Sequence, residues 1–557
     1  MKNNYDEEYV NDLTDRVFLI KREIENGKLK ISPKLISGFV ESFNKVRLRA
    51  DGKIDPDTVD GRIRAMGAAV RHFTEREEIK QKYSITDIQE AYFRLLFDNF
   101  EDYFTPIKNG NANPNQVSYF LSEKEDFVKL IDESFPEIIE HITEFWSALY
   151  EIGEIHLQDG KQLKANFSGD LFPAHDENAV SMAGLYIDTI ILPCPILRVA
   201  RLHNQASKEE FCRLLLKHVL TCMTYRDVAL EDINPQILMI LPDRRDFSAD
   251  QKNILMERSV PYSLAHANCL FGRDFSEVNE FREFCQSLRD VEGVLKELKR
   301  PERLIFNTDW GNGADVQLKA MLADKDRLTA KYNENHPGME VFMNCMGRMP
   351  QALAAKDNAS YLGCTPYINA ETSWIHYTWL LEYESLNFKR DNEELKNFHM
   401  VHALSQGQQE GLSWLGNIPI NKVIELRRND LMNEVREILS MGVNDLIGSN
   451  RENYQITKQK VVDNIDNALI SHKRFLERAR KDNLKLYGLE VAPCIINGTV
   501  IIAAALTGNV ALGTIGAGLG LWGMPNIKDI KTKFKERDEK IDKYRKSSTG
   551  IMFSHIK

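Results

Sequence analysis

The chain has 557 residues, of which 43% are hydrophobic and 28% are charged, and its formal net charge is −10. This length allows roughly three or four domains, and the mean hydropathy of −0.38 excludes a chain embedded in lipid over most of its length. The eight cysteines include no CxxC pair, which argues against a zinc ribbon or a thioredoxin-type site. Cysteines scattered through apolar runs are typical of reduced core residues, and the N-terminus lacks a signal-peptide-like apolar stretch. We therefore expect a cytoplasmic protein.

The charge is unevenly distributed along the chain. Residues 473–557 contain sixteen basic and eight acidic residues, a net charge of +8, so the first 472 residues carry −18. An acidic body with a basic end directs any anionic partner to the last 85 residues. The predicted partner of this region is anionic lipid, and protein partners are an alternative. Nucleic acid is the least favoured partner.

Residues 1–150 are predicted to form a helical N-terminal domain. The segment that follows Ser84 places apolar residues three and four positions apart, which is typical of one buried helix face. These residues are Ile85, Ile88, Tyr92, Leu95, Leu96 and Phe100. Ser84 itself is the expected N-cap of that helix.

Residues 151–315 are predicted to form an α/β domain. Two short apolar runs that end in proline, "GLYIDTIILPCP" and "NPQILMILPD", are typical of buried strands. Between them, Ser207 and Glu210 have the spacing of a capping box at the start of an amphipathic helix. Strand, helix and strand in this order predict a βαβ unit, and "RLIFNTDWGNGAD" at 303–315 is interpreted as a third strand and its loop.

Residues 316–486 are predicted to form a second helical domain that ends in a long helix. Val461, Ile465, Leu469, His472 and Leu476 lie along one face of that helix, bordered by charged residues. The predicted fold class is therefore predominantly α with a central α/β portion, in a multidomain chain.

The candidate catalytic residues lie in the α/β domain. His175, Asp176 and Glu177 crowd into a polar loop before a predicted strand, and Asp188 interrupts that strand's apolar run. A histidine and carboxylates that converge at one end of a sheet are suited to acid–base chemistry or to binding a divalent metal. The alternative is a loop in which Asp188 bonds to backbone groups. No Walker A sequence, G-x-G-x-x-G or G-x-S-x-G is present, so the cofactor and the reaction, if there is one, stay open.

Residues 487–557 are predicted to form a glycine-rich apolar hairpin followed by a basic amphipathic tail. No acid or base occurs between Glu490 and Lys528. Glycines disfavour one spanning helix, and "TGN" at 507–509 predicts a turn between an arm at 495–506 and an arm at 510–522. Arms of this length are shorter than a membrane-spanning helix.

Two sets of residues are assigned to this predicted hairpin. The residues predicted to contact the membrane are Ile501, Ile502, Leu506, Leu512, Ile515, Leu519 and Trp522. The glycines predicted to let the two arms pack closely are Gly508, Gly513, Gly516 and Gly520. Both flanks are basic, which favours a hairpin with both ends on the cytoplasmic side. The alternative is that the segment 491–525 is buried in the core of a soluble protein.

The leading hypothesis is a cytoplasmic helical protein that associates with the inner face of the membrane through the C-terminal hairpin. The hairpin would anchor the protein or insert conditionally into the bilayer. One alternative is a soluble metal-dependent hydrolase or nuclease with its site in the central α/β domain. A third is a scaffolding subunit of a larger assembly, and the sequence leaves open whether the chain is an enzyme.

Overall fold

The computed structural model describes most of the chain. The described residues are 5–29, 31, 33–158, 160–173, 179–324, 336–385, 392–406, 418–446, 451–481, 484–486, 489–496, 499–504, 539 and 542–554. They form two compact units, one of Met1–Ala91 with Leu149–Gly160, the other of Tyr92–Ala148 with Lys161–Lys557. Helices dominate, and the second unit contains a small parallel sheet, so the predicted fold class is confirmed.

The first part of the chain is helical, as the spacing of its apolar residues predicts. Its helices are α1 (Glu7–Glu25), α2 (Pro33–Asn44), α3 (Gly61–Lys82), α4 (Ile85–Lys108), α5 (Pro114–Ser122) and α6 (Glu125–Gln158). Helix α3 begins after Asp60, whose carboxylate accepts hydrogen bonds from the backbone N–H groups of Arg62 and Ile63. In the first unit, the buried core is formed by Leu13, Val17, Ile20, Phe39, Ile54, Val59, Ile63 and Val70.

The central sheet has four parallel strands, β1 (Lys164–Ser168), β2 (Thr189–Leu192), β3 (Leu238–Ile240) and β4 (Thr365–Ile368). Their order is β3-β2-β1-β4, with Lys164 paired to Thr189, Ile190 to Leu238 and Ala165 to Thr365. Almost every strand residue is buried, as expected when helices cover both faces of a parallel sheet.

In the described residues, ten helices lie between β1 and β4 in the chain. They are α7 (Ala179–Gly184), α8 (Pro195–Ala200), α9 (Lys208–Thr224), α10 (Arg226–Ala229), α11 (Arg244–Phe247), α12 (Ala249–Phe271), α13 (Val278–Ser287), α14 (Val291–Glu297), α15 (Ala314–Ala323) and α16 (Pro337–Leu362). The predicted βαβ unit is present as β2, α9 and β3. Ser207 caps α9 by accepting a hydrogen bond from the backbone of Glu210 at 3.2 Å.

The predicted third strand at 303–315 is wrong. The chain there forms short 3-10 turns at Pro301–Arg303 and Thr308–Trp310. The side chain of Gln317 accepts hydrogen bonds from the backbone of Phe306 and Asn307, at 2.8 and 3.0 Å, and donates to the carbonyl of Asn307. A side chain therefore occupies the backbone groups that a strand would pair, and the fourth strand comes from 365–368 instead.

The described residues from 371 to 481 are mainly helical. The range 316–486, predicted to be a helical domain, also contains β4 of the central sheet. The helices that follow β4 are α17 (Glu371–Ser385), α18 (Asn392–Gln406), α19 (Ile420–Arg428), α20 (Met432–Ser440), α21 (Arg451–Lys481) and, near the end of the chain, α22 (Ser548–Phe553). Helix α22 packs against α19, α20 and α21. The ring of His472 in α21 stacks on that of Tyr544, with centroids 5.3 Å apart.

A second, antiparallel sheet follows α21 and changes the predicted hairpin. Its strands are β5 (Leu484–Leu486), β6 (Leu489–Ile496) and β7 (Thr499–Ala504), and Ile496 pairs with Thr499. The chain therefore reverses between Ile496 and Thr499, inside the predicted first arm. The prediction of one continuous arm over 495–506 is wrong, and the predicted turn at 507–509 lies outside the described residues.

Most residues assigned to the predicted hairpin also lie outside the described part of the chain. Ile501 and Ile502 are in β7, paired with Cys494 and Pro493. The residues that lie outside are Leu506, Leu512, Ile515, Leu519, Trp522, Gly508, Gly513, Gly516 and Gly520. Among the helices that the structure describes, none has the length and apolar composition to cross a bilayer.

Candidate functional site

The predicted catalytic residues fall into two groups. His175, Asp176 and Glu177 lie outside the described residues. Asp188 lies immediately before β2, at the amino edge of the parallel sheet. In the described ranges, no group of three or more His, Cys, Asp or Glu side chains is arranged to hold a metal ion.

The carboxylate of Asp188 is engaged by groups from three parts of the chain. It accepts a hydrogen bond from the backbone N–H of Leu163 at 2.9 Å and one from the guanidinium of Arg436 at 2.5 Å. Arg427 forms an ion pair with it at 3.3 Å and donates to the backbone carbonyl of Asp188 at 2.8 Å. Asp188 therefore joins α19 and α20 to the amino end of β2, and its catalytic role stays a prediction.

A different site lies at the opposite, carboxyl edge of the sheet. A cleft of about 640 Å³ opens there between β1, α8, α11, α12 and α16. Ser168 and Gly169, at the end of β1, form part of its lining, as does Asp243, which follows β3. In open α/β sheets, ligands bind outside the carboxyl ends of the strands, where the strand order changes direction. In the order β3-β2-β1-β4, that change falls between β1 and β4.

Four cationic side chains line the cleft, and two of them are paired with carboxylates. Arg198 of α8 lies with its Nε 3.1 Å from Oδ2 of Asp246, and both side chains are about one-seventh exposed. Arg245 of α11 donates to Asp243 through Nε at 2.6 Å and through a second, shorter bond. Its Nη2 also donates to the backbone carbonyl of Ala354 at 2.8 Å, which fixes the guanidinium against α16.

The other two cations are Arg201, which follows α8, and Lys252 of α12. Both side chains are exposed, and within the described residues neither forms an ion pair or a hydrogen bond. With Asp243 and Asp246 as the acidic lining residues, the cleft has an excess of two positive charges. Burial raises the pKa of the Asp246 carboxyl, against the opposing effect of the Arg198 guanidinium. The cleft is thus suited to an anion.

The floor of the cleft is held by bonds to one carbonyl. The oxygen of Gly169 accepts hydrogen bonds from Ser373 Oγ, at 2.9 Å, and from the side-chain amide of Gln351. Gly169 has φ +91°, and a Cβ there would lie 3.1 Å from both Ile368 and Ser373. The tight turn after β1 therefore requires glycine. A recess that is too small for a water molecule adjoins it, and Arg348 forms part of its lining.

This cleft is not among the sites predicted from the sequence. The sequence feature that could have revealed the cleft is the pair of basic segments directly after two predicted strands, "LPCPILRVAR" and "LPDRRDF". Each segment ends a strand with proline and then begins a short helix that carries an arginine. Those arginines converge because both strands are parallel and neighbouring in the sheet, a relation that no single segment encodes.

The comparisons with known proteins add no functional assignment. The chain matches no known protein family, no curated protein and no solved structure.

Proposed function

We propose that the chain binds a phosphate-bearing small molecule in the cleft at the carboxyl edge of the parallel sheet. The observation that carries this proposal is the convergence of Arg198, Arg201, Arg245 and Lys252 on a cleft of about 640 Å³. This volume lies within the range of about 300–1,000 Å³ that is usual for small-molecule sites. The carboxyl ends of the strands are where ligands bind in other open α/β sheets.

The charges of the cleft favour phosphate over other anions. A phosphate monoester carries close to two negative charges near neutral pH, which equals the excess positive charge of the lining. Guanidinium groups bind phosphate through two parallel N–H donors. The Arg245 guanidinium is held by Asp243 and Ala354, so its orientation is set before a ligand arrives.

Arg201 and Lys252 provide the test, because both are exposed and neither holds another side chain. In calorimetric titration with pyrophosphate, the double variant R201Q/K252Q should bind at least tenfold more weakly than the wild type. Hydrogen bonds to charged groups contribute about 1.5–3 kcal/mol each, and tenfold corresponds to about 1.4 kcal/mol. The thermal unfolding midpoint without ligand should not change.

The control for this experiment is K319Q, which removes an exposed lysine of α15 outside the cleft. It should bind pyrophosphate like the wild type, and added salt should weaken binding to both proteins. A wild-type protein that does not bind pyrophosphate at low salt would contradict the proposal. So would a double variant that binds as tightly as the wild type.

Association with anionic membranes through the C-terminal region is a second proposal. Contacts of the last helix favour this second proposal. Helix α22 packs against α19, α20 and α21, and the ring of His472 in α21 stacks on that of Tyr544. Described residues that precede and follow the charge-free stretch of 491–527 thus contact each other, and basic residues lie on both flanks of that stretch. A hairpin that enters a leaflet from one side has this arrangement.

Vesicle flotation tests this second proposal. The triple variant L512S/I515S/L519S should float with phosphatidylserine vesicles at least fivefold less than the wild type, because it removes apolar area that would enter the leaflet. The control is L48S/F73S/L130S, which removes three exposed apolar side chains of the described helical part. Equal flotation of the wild type and the first variant, or no flotation at all, would exclude the anchoring role.

A further inference from the structure

We infer that the phosphate-bearing ligand of the cleft is a nucleoside phosphate, whose base lies between α12 and α16. This inference rests on the proposed phosphate-binding function and specifies its substrate class. It follows from three features of the lining: the space beyond the cations, the apolar residues that face that space, and the spacing of charged and apolar side chains on α12.

The cleft is much larger than the anion it would bind. One water molecule has a share of about 30 Å³ in the liquid, so a space of about 640 Å³ corresponds to roughly twenty water molecules. A phosphate group replaces only a few of them. The cleft therefore has room for a ligand that is much larger than its phosphate group.

Beside the polar Thr143, Ser168, Ser248 and Gln351, the lining contains apolar residues, and several of these come from two facing helices. Leu255 and Met256 belong to α12, and Pro350, Ala354 and Ala355 belong to α16. The α16 residues are small or flat, and a Cβ at Gly347 in the same helix would meet no atom within 4 Å. This side of the cleft is therefore a flat apolar surface, which suits a planar ring more than a hydroxylated sugar.

Met256 is the side chain expected to cover that ring. It is 42% exposed although it is apolar and lies in a cleft. Methionine sulfur makes favourable contacts with aromatic rings. Covering Met256 would remove its apolar surface from water and add this contact.

The spacing of Lys252 and Met256 on α12 matches the distance between the phosphate and the base of such a ligand. Lys252 and Met256 are four residues apart and therefore lie on one helix face, about one turn or 5.4 Å from each other along the axis. A 5′-phosphate and its base are separated in the same way by one ribose. The cations of α8 and α11 line the same cleft, and Arg245 is held there by its bond to the backbone carbonyl of Ala354 in α16.

Calorimetric titration of the full chain tests the inference with pyrophosphate, ribose 5-phosphate, AMP and ADP. AMP should bind at least tenfold more tightly than ribose 5-phosphate, because the two differ only in the base. The variant M256S should weaken AMP binding about tenfold and leave pyrophosphate binding unchanged. The matched control is I254S, which removes an apolar side chain of similar exposure, 46% against 42% for Met256, from the same helix outside the cleft lining.

The outcomes separate this inference from the proposed function. If ribose 5-phosphate binds as tightly as AMP, or if M256S binds AMP like the wild type, the base-binding inference is wrong and phosphate binding stands. If pyrophosphate, ribose 5-phosphate and both nucleotides all fail to bind, the proposed function and this inference fail together.

Discussion

The variant D188N should unfold at a clearly lower urea concentration than the wild type, with a loss of about 3 kcal/mol in the free energy of unfolding. Asparagine keeps the shape of the side chain and one acceptor oxygen, but it removes the charge that Arg427 and Arg436 share. The side chain of Arg427 is only 6% exposed and that of Arg436 19%. Breaking a buried ion pair from one side costs about 3–5 kcal/mol, because the remaining charge stays buried without a counter-charge.

The control for D188N is D315N in α15. Asp315 is 51% exposed, and its ion pair with Lys319 is an exposed i,i+4 pair at 3.8 Å. Such pairs contribute about 0.3–0.5 kcal/mol, so D315N should unfold close to the wild type. If D188N is as stable as the wild type, the carboxylate does not hold α19 and α20 to the sheet. Asp188 would then be available for the predicted catalytic role.

The variant G338A should lose about 3 kcal/mol or more of stability. Gly338 lies in the first turn of α16, and its N–H donates to the carbonyl of Leu288 at 3.1 Å. A Cβ at this position would overlap the carbonyl oxygen of Cys285 and lie 2.8 Å from that of Leu288. Both atoms belong to the backbone and cannot rotate away as a side chain could. The overlap can therefore be removed only if α13 and α16 move apart. Overpacking of this kind costs about 1–3 kcal/mol, and more where the backbone must move.

Gly347 offers the matched control within the same helix. A Cβ there would meet no atom within 4 Å, and alanine is favoured over glycine in a helix interior by about 0.8–1.0 kcal/mol. G347A should therefore be slightly more stable than the wild type, measured by urea and thermal unfolding. Equal stability of G338A and G347A would show that the close approach of α13 and α16 does not constrain residue 338.

The extent to which the sequence predicted the sheet depends on the strand. Strands β2 and β3 are continuous apolar runs that end in proline, and the helix between them carries a capping box, so local signals were sufficient. Strand β1 alternates Lys164, Asn166 and Ser168 with apolar residues, although all five positions are buried. Within it, the side-chain amide of Asn166 donates to Ser168 Oγ at 3.0 Å. Polar side chains at buried positions interrupt the continuous apolar run by which β2 and β3 were recognised.

Strand β4 contains Pro366, which normally argues against a strand. Proline is tolerated on an edge strand, and β4 is at the edge of the sheet. The position of a strand within its sheet is a tertiary property, so the sequence could not reveal that this proline was acceptable. The same limit applies to the cleft, since its arginines and its apolar side come from segments about one hundred residues apart, for example Arg245 and Ala354.

The bond between Gly169 and Ser373 joins residues 204 positions apart in the chain, and this sets an order of assembly during synthesis. Strand β1 leaves the ribosome long before β4, at about 5–20 residues per second. During that interval β2 can pair with β1 and β3 can pair with β2, and the floor of the cleft is completed only after residue 373 has emerged. A nascent chain stalled before that point should therefore contain a folded N-terminal helical unit and most of the sheet, but no complete ligand site.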